Sequence, residues 1–412
     1  MAAIGIDFGN SFTTIAWISP LTGKPQAVDI HMPSLMLCCG NSFLVGQEAV
    51  DAVVAAATLP TAQRLAYMAN AIPHLKTIID PAATEYLGGR DYSHLELLTT
   101  FFKQLFKKVK DVCGEDYAVD HVVLTHPALM SHPKVELMLD ALHTLGYENT
   151  DTMTEPVAAV KGYALTHAIG EGQGFLVFDY GSIQADAAFV KILYGQPKVA
   201  TEPCTATVCG GRDLDYMLYE HLRSQMMQNS QIDISSECID MTVMDCCRKL
   251  KECFCHETGD ICEVEIPRIG SCRMSREAFH TIIGTKVDEA MVTARRVAAD
   301  VKSRGYTVDK ILLVGGSARL PIVRERLSVI FPNISMDYAA ADDSAVATGA
   351  ISEDAYEPQD DLLDRNISIT CRNPQCRSKH CYRYKKPVRD RGFLYRCLEC
   401  GWEGNGVNVV FR

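Results

Sequence analysis

Two short apolar runs in this sequence end in the same way. Residues 2–8 lead into Asp7-Phe8-Gly9-Asn10-Ser11-Phe12, and residues 174–180 lead through Asp179-Tyr180 into Gly181-Ser182. A glycine just past a buried strand lets the backbone approach a ligand, and its neighbours' N–H groups can point at phosphate oxygens. The aspartate can hold the waters of a Mg²⁺ that bridges those phosphates. One Asp-x-Gly is an ordinary turn, but two copies on facing lobes would grip a nucleotide from both sides. Two paired-glycine turns extend the pattern: Gly210-Gly211-Arg212-Asp213 precedes a helix start, and Gly315-Gly316-Ser317-Ala318-Arg319 follows a strand and opens a helix. Each is expected to leave backbone N–H groups free at the positive end of a helix, where anions bind.

These turns need strands and helices to hold them. Residues 12–18 and 185–193 are β-prone and follow their Asp-x-Gly turns as the second arms of hairpins, so the chain reads as an internal duplication. Residues 95–112, 133–145, 213–227, 238–255 and 275–302 have helical periodicity, while 121–125 and 310–314 are apolar strands. Strands alternating with helices of this length indicate α/β lobes whose parallel sheets are covered on both faces. We expect lobe I over residues 1–170, lobe II over 171–356, a polar linker over 357–366, and a small tail domain over 367–412.

The chain has 412 residues, a formal net charge of −11, 47% hydrophobic and 22% charged residues. That composition is of a packed protein and excludes disordered, collagen-like and disulfide-scaffold classes. With no secretory signal and no long apolar run, a cytoplasmic location without membrane contact is expected. Residues 366–412 hold ten Lys and Arg against three Asp and Glu, leaving an acidic body with a basic tail. Twelve of the 17 cysteines lie at or before Cys272 and read as buried thiols. The other five crowd into the tail. Cys371-x4-Cys376 and Cys397-x2-Cys400 have the spacing of a four-thiolate structural Zn²⁺ site, with Cys381 or His380 as alternatives for Cys371 or Cys376. Residues 381–386, 393–397 and 407–411 would be the strands, and the fold resembles the zinc ribbons of transcription and translation proteins. Tyr382, Arg383, Tyr384, Lys385 and Lys386 interleave basic and aromatic side chains, as do Arg389, Arg391, Tyr395, Arg396 and Trp402. Such a surface suits unpaired RNA, and equally an acidic protein partner or a solvated face.

Six motifs in order resemble the nucleotide-binding domain of the 70-kDa heat-shock protein chaperones, in the actin and sugar-kinase superfamily. They are Gly5-Ile6-Asp7-Phe8-Gly9-Asn10-Ser11, Thr154-Glu155-Pro156-Val157-Ala158-Ala159, Phe178-Asp179-Tyr180-Gly181, Gly210-Gly211-Arg212-Asp213-Leu214-Asp215, Leu313 to Pro321 around Gly315-Gly316, and Asp343 to Ala350. The resemblance covers residues 1 to about 355 and implies a two-lobed actin-like ATPase fold with ribonuclease-H-like lobes. It further implies that Asp7 and Asp179 order Mg²⁺, that Gly9 to Phe12 and Gly181-Ser182 are phosphate loops, and that Glu155 positions the attacking water. Lys76 is placed near the γ-phosphate. By the same resemblance Lys251 and Gly316 to Arg319 look like the adenosine clamp, and Arg248, Cys255 and Asp343 join the ATP/ADP-binding set. Phosphoryl transfer needs mostly such positioning and charge neutralisation.

The sequence departs from that family in ways that predict a weak or inactive ATPase. Ile183 and Gln184 stand where the family carries glycine and threonine, and Arg248 and Cys255 replace acidic and polar residues beside the nucleoside. After Asp361-Leu362-Leu363-Asp364 there is no room for a peptide-binding domain, so no groove for unfolded peptide is expected. The chain looks most like atypical, ribosome-associated or regulatory members, acting through a zinc ribbon on ribosome, RNA or a co-chaperone. A nucleotide-free actin-fold scaffold is the alternative, and a small-molecule kinase of the superfamily a third reading.

Overall fold

The computed structural model describes residues 3–19, 21–56, 59–114, 117–230, 237–256, 259–266, 270–340, 343–352, 381–384, 394–397 and 403–405. Residues 1–193 and 197–355 form one compact body, and residues 356–412 belong to a second unit.

The body is built around two sheets with one plan. In the first, Ala3–Phe8 is the hub, antiparallel to Phe12–Ile18 and parallel to His121–His126; Pro25–Pro33 and Thr150–Thr154 are the outer strands. In the second, Gly174–Tyr180 is the hub, antiparallel to Gln184–Leu193 and parallel to Lys310–Val314, with Ser335–Tyr338 beyond. The parallel hub strands are apolar because helices cover both faces. Ile4, Ile6 and Phe8 are buried in one hub, and Phe175 to Phe178 in the other.

The helices follow the sequence periodicity. His94–Cys113 starts in a capping box, where the Ser93 hydroxyl accepts from the Glu96 N–H and the Glu96 carboxylate accepts from the Ser93 N–H. It turns Leu97, Leu98, Phe101, Phe102, Leu105, Phe106 and Val109 into the first core. Arg276–Ser303, capped by the Ser275 hydroxyl, does the same for the second core with Phe279, Ile283, Val287, Ala290, Met291, Ala294 and Val297. His132–Thr144, Gly211–Ser230 and Glu237–His256 complete the expected helices. Among the described residues, no helix is long and apolar enough to cross a membrane.

Each half of the body also lends a helix to a shared crossing. Glu155–Ala164 joins a core containing Phe175, Val177, Val190 and Leu312, whereas Ala345–Ala350 packs beside Ala16 and Val123 of the first sheet. The two helices touch backbone to backbone. A Cβ on Gly162 would overlap the Ala345 carbonyl, and one on Gly349 the Ala158 carbonyl.

Three expectations are corrected or displaced. Cys253 and Cys262 form a disulfide tying the Glu237–His256 helix to the Ile261–Ile266 strand, because the turn back from the helix brings their Cα atoms to 6.3 Å. They are therefore not free thiols; Cys38, Cys209, Cys246 and Cys247 are buried thiols as expected, whereas Cys39, at the end of its short strand, is exposed and Cys113, Cys204, Cys255 and Cys272 are only half-buried. In the tail, Cys381–Tyr384, Leu394–Cys397 and Glu403–Asn405 make an antiparallel sheet, so the third described strand precedes the expected 407–411, which lies outside the described residues. The linker 357–366, Cys371, Cys376, His380 and Cys400 also lie outside them.

Candidate functional site

The two Asp-x-Gly turns have the same geometry. The Gly9 N–H donates to the Phe12 carbonyl at 3.1 Å, and the Gly181 N–H donates to the Gln184 carbonyl at 3.1 Å. Each closes a tight turn between a hub strand and its antiparallel neighbour, which leaves Asp7 and Asp179 at the strand ends. The turns meet: the Ser11 hydroxyl donates to the Ser182 hydroxyl at 2.7 Å, across 171 residues of sequence.

Beside them opens a cleft of about 780 Å³, a size that takes a nucleotide. Asp7, Gly9, Asn10, Ser11, Phe12, Lys76 and Glu155 line it from one side, and Asp179, Gly181, Ser182, Ile183 and Arg212 from the other. Arg248, Lys251 and Cys255 line its far end together with Gly315, Gly316, Ser317, Arg319 and Asp343. Ile183 is part of this lining, and the space persists past it.

The floor is crowded with carboxylates. Asp7, Asp179 and Asp186 keep only part of their surface open, and Glu155 is buried. Burial and the Glu155 charge raise the Asp7 carboxyl to about 7, and the same two causes lift Asp179 well above the usual carboxylate range. Lys76 is the counter-charge, with its Nζ 2.5 Å from Glu155 Oε1. Burial works against that ammonium, but Glu155 and Asp7 outweigh it and its pKa is raised. One ammonium does not neutralise four carboxylates, so the donor set suits a hard divalent cation with oxygen ligands. Two further atoms fit a ligand here: Asn10 Oδ1 and Thr14 Oγ1 line the cleft buried and without a hydrogen-bond partner.

Three floor residues carried no signal in the sequence. Asp186 lies opposite Asp179 in the antiparallel register, where burial raises its carboxyl although Thr205 and Gln184 donate to it. Thr125, from the neighbouring parallel strand, donates to Asp7 Oδ1 at 3.2 Å. Thr14 pairs with Asp7 across the first hairpin. Only the strand register assembles these residues, although an Asp seven residues after the Asp-x-Gly aspartate could have been counted through the hairpin.

The paired-glycine turns divide. Gly315 has φ 83°, and a Cβ there would stand 2.7 Å from Asp179 Oδ1, so a glycine lets this turn lie against the carboxylate. Gly210 and Gly211 do not line the cleft. Their N–H groups are taken, Gly210 donating to Asp213 Oδ2 at 2.9 Å and Gly211 to the Gly181 carbonyl at 3.0 Å. The Arg212 N–H donates to the Ser182 carbonyl at 2.9 Å. The N–H groups of Gly211 and Arg212, expected to be free for an anion, are thus spent on bracing the second Asp-x-Gly turn, and that of Gly210 on its own helix start.

The far wall is pre-paired. Lys251 Nζ donates to the Gly211 carbonyl at 2.8 Å and pairs with Asp215 at 2.8 Å. Arg248 is held by Glu252 at 2.7 Å and Asp245 at 2.8 Å. Arg319 lies 5.0 Å from the Tyr338 ring centre and 3.4 Å from Asp343. Burial pushes the Cys255 thiol to about 11, so it stays neutral.

Among the described residues no group of His, Cys, Asp and Glu that could by itself hold a metal ion is present, and of the four expected zinc ligands only Cys397 falls within them. The Hsp70 protein family model matches residues 45–363, most of the chain. Its match takes in the Glu155 helix, the second Asp-x-Gly turn and the Gly315-Gly316 turn. With that match, the chain belongs to the Hsp70 protein family, which carries ATP and Mg²⁺ binding and a chaperone-like function in general terms.

Proposed function

We propose that the body binds ATP·Mg²⁺ between its two sheets as a weak or inactive ATPase, and that it acts as a nucleotide-sensitive regulator through a zinc ribbon. The observation that carries the nucleotide reading is the meeting of the two Asp-x-Gly turns at the Ser11–Ser182 hydrogen bond, with Asp7 and Asp179 beneath it. A triphosphate at that seam meets backbone from both halves of the chain. A Mg²⁺ held through water by Asp7 and Asp179 would supply charge neutralisation to the phosphates. The protein's own groups do the positioning. Lys76 and Glu155 orient each other at 2.5 Å, and Glu155, which lines the cleft, would be the carboxylate that holds the attacking water.

Weak turnover follows from the second turn and the far wall. Ile183 puts a branched side chain into a loop whose task is close backbone approach. Lys251 must leave Asp215 and the Gly211 carbonyl before it can serve an adenosine, which costs binding energy. In the tail, Cys371, Cys376, Cys397 and Cys400 would hold the zinc, with Cys381 or His380 as alternatives for Cys371 or Cys376. The basic ribbon would dock on RNA, the ribosome or a protein, in the cytoplasm.

The scaffold reading also has an observation in its favour: the Ser11–Ser182 bond closes the turns on each other with no phosphate required. Calorimetric titration with ATP·Mg²⁺ separates the two. Saturable heat at micromolar to millimolar nucleotide supports the regulator, and no heat at millimolar nucleotide leaves the scaffold.

A further inference from the structure

The cleft's cations are not equally available. Lys76 is held by Glu155, Lys251 by Asp215, Arg248 by Glu252 and Asp245, and Arg319 by Asp343. Among the described Lys and Arg residues lining the cleft, Arg212 alone has a charged head with no hydrogen bond or ion pair. Its backbone is nevertheless fixed, because its N–H donates to the Ser182 carbonyl of the second phosphate turn. The guanidinium is therefore anchored at the turn, exposed, and unspent.

His74 faces it from the other half of the chain. Its Nδ1 lies 3.0 Å from the Asn10 carbonyl of the first phosphate turn and donates to it, leaving Nε2 as the second ring nitrogen. The ring is half-buried and lines the same cleft. Burial, with a contribution from the Arg212 charge, holds its pKa below the usual imidazole value. His74 and Arg212 are thus near enough to repel each other, and an anion between them would turn that repulsion into attraction for both. The Ser11–Ser182 bridge fixes the spacing of the two turns to which they are hydrogen-bonded.

We propose that His74 and Arg212 form a clamp across the two phosphate turns for the terminal phosphate of a nucleoside triphosphate, so that the cleft favours a triphosphate over the matching diphosphate. The proposal rests on the nucleotide-binding reading above. A free guanidinium on a phosphate makes charge-assisted hydrogen bonds, often bidentate, that a diphosphate too short to reach them forgoes. His74 adds a donor that is charged when a phosphate dianion stands beside it.

The test is calorimetry on the full chain with ATP·Mg²⁺ and ADP·Mg²⁺, for the wild type, Arg212→Ser, Arg212→Lys and His74→Gln, each checked for an unchanged melting temperature. Arg212→Ser should weaken ATP binding by about tenfold and ADP binding less than twofold, the scale of one lost charge-assisted bond. Arg212→Lys should recover part of the preference. The ratio of ATP affinity to ADP affinity in the wild type should rise as the pH falls from 8 to 6, a comparison in which titration of the Asp7 carboxyl beneath both nucleotides cancels, and His74→Gln, which keeps a donor for Asn10, should flatten that profile. Equal losses for ATP and ADP, or an unchanged ratio in Arg212→Ser with wild-type binding intact, would overturn the clamp alone. No heat with either nucleotide in the wild type would overturn the clamp and the nucleotide reading together.

Discussion

Asp7 shows how a site can be built against the stability of its own fold. Its carboxyl is raised from the ordinary range to about 7 by burial and by Glu155, so the folded protein holds a proton there that the unfolded chain releases near pH 4. Between those values the native state binds more protons, and its stability falls as pH rises. The ligand-free protein should therefore lose stability from about pH 4 to pH 7, on the order of a few kcal/mol for a three-unit shift. Asp7→Asn removes that charge. At pH 8 it should raise the melting temperature of the ligand-free protein while abolishing the heat of ATP·Mg²⁺ binding; a variant that melts lower and still binds would contradict this account of the floor. The Asp-x-Gly pair was readable in the sequence because a turn glycine and a strand-end acid are adjacent there. Asp186 and Thr125 were not, because hairpin and parallel registers place them beside their partners.

The helix crossing that joins the two halves is an element no hydrophobic pattern announces. Ala345–Ala350 is only six residues of small side chains, too short and too uniform for a helical period to appear. Its role comes from what those residues lack: without side chains at Gly162 and Gly349, two helices lie carbonyl against backbone, and Gly5 accepts the Ala347 carbonyl in the same way. Gly349→Val forces those backbones apart and should destabilise the body by about 3 kcal/mol or more in urea unfolding. Gly170→Ala, which meets open space, should stay within about 0.5 kcal/mol. Equal effects would mean that the crossing yields freely. The long amphipathic helices were readable because their apolar faces span many turns. The short strands and helices between residues 36 and 93 were not, since four-residue arms such as Met36–Cys39 and Thr84–Leu87 give too few repeats to reveal a period.

On the scale of the whole chain, the acidic body and basic tail differ in what can hold them folded. The body buries separate cores under each sheet and a third at the helix crossing, so it has ample apolar mass of its own. The tail is too short to bury a comparable core and its three described strands are three or four residues long, a size at which a metal is the usual staple. If thiolates supply it, elemental analysis should find about one zinc per chain. Cys397→Ser should lose that zinc and the amide protection of the Cys381–Tyr384 and Leu394–Cys397 ladder. Because the described residues that line the cleft all belong to the body, the same substitution should leave the heat of ATP·Mg²⁺ binding unchanged. A ladder that stays protected in zinc-free protein would show that the tail folds by packing after all, and its cysteines would then have to be explained by something other than a metal.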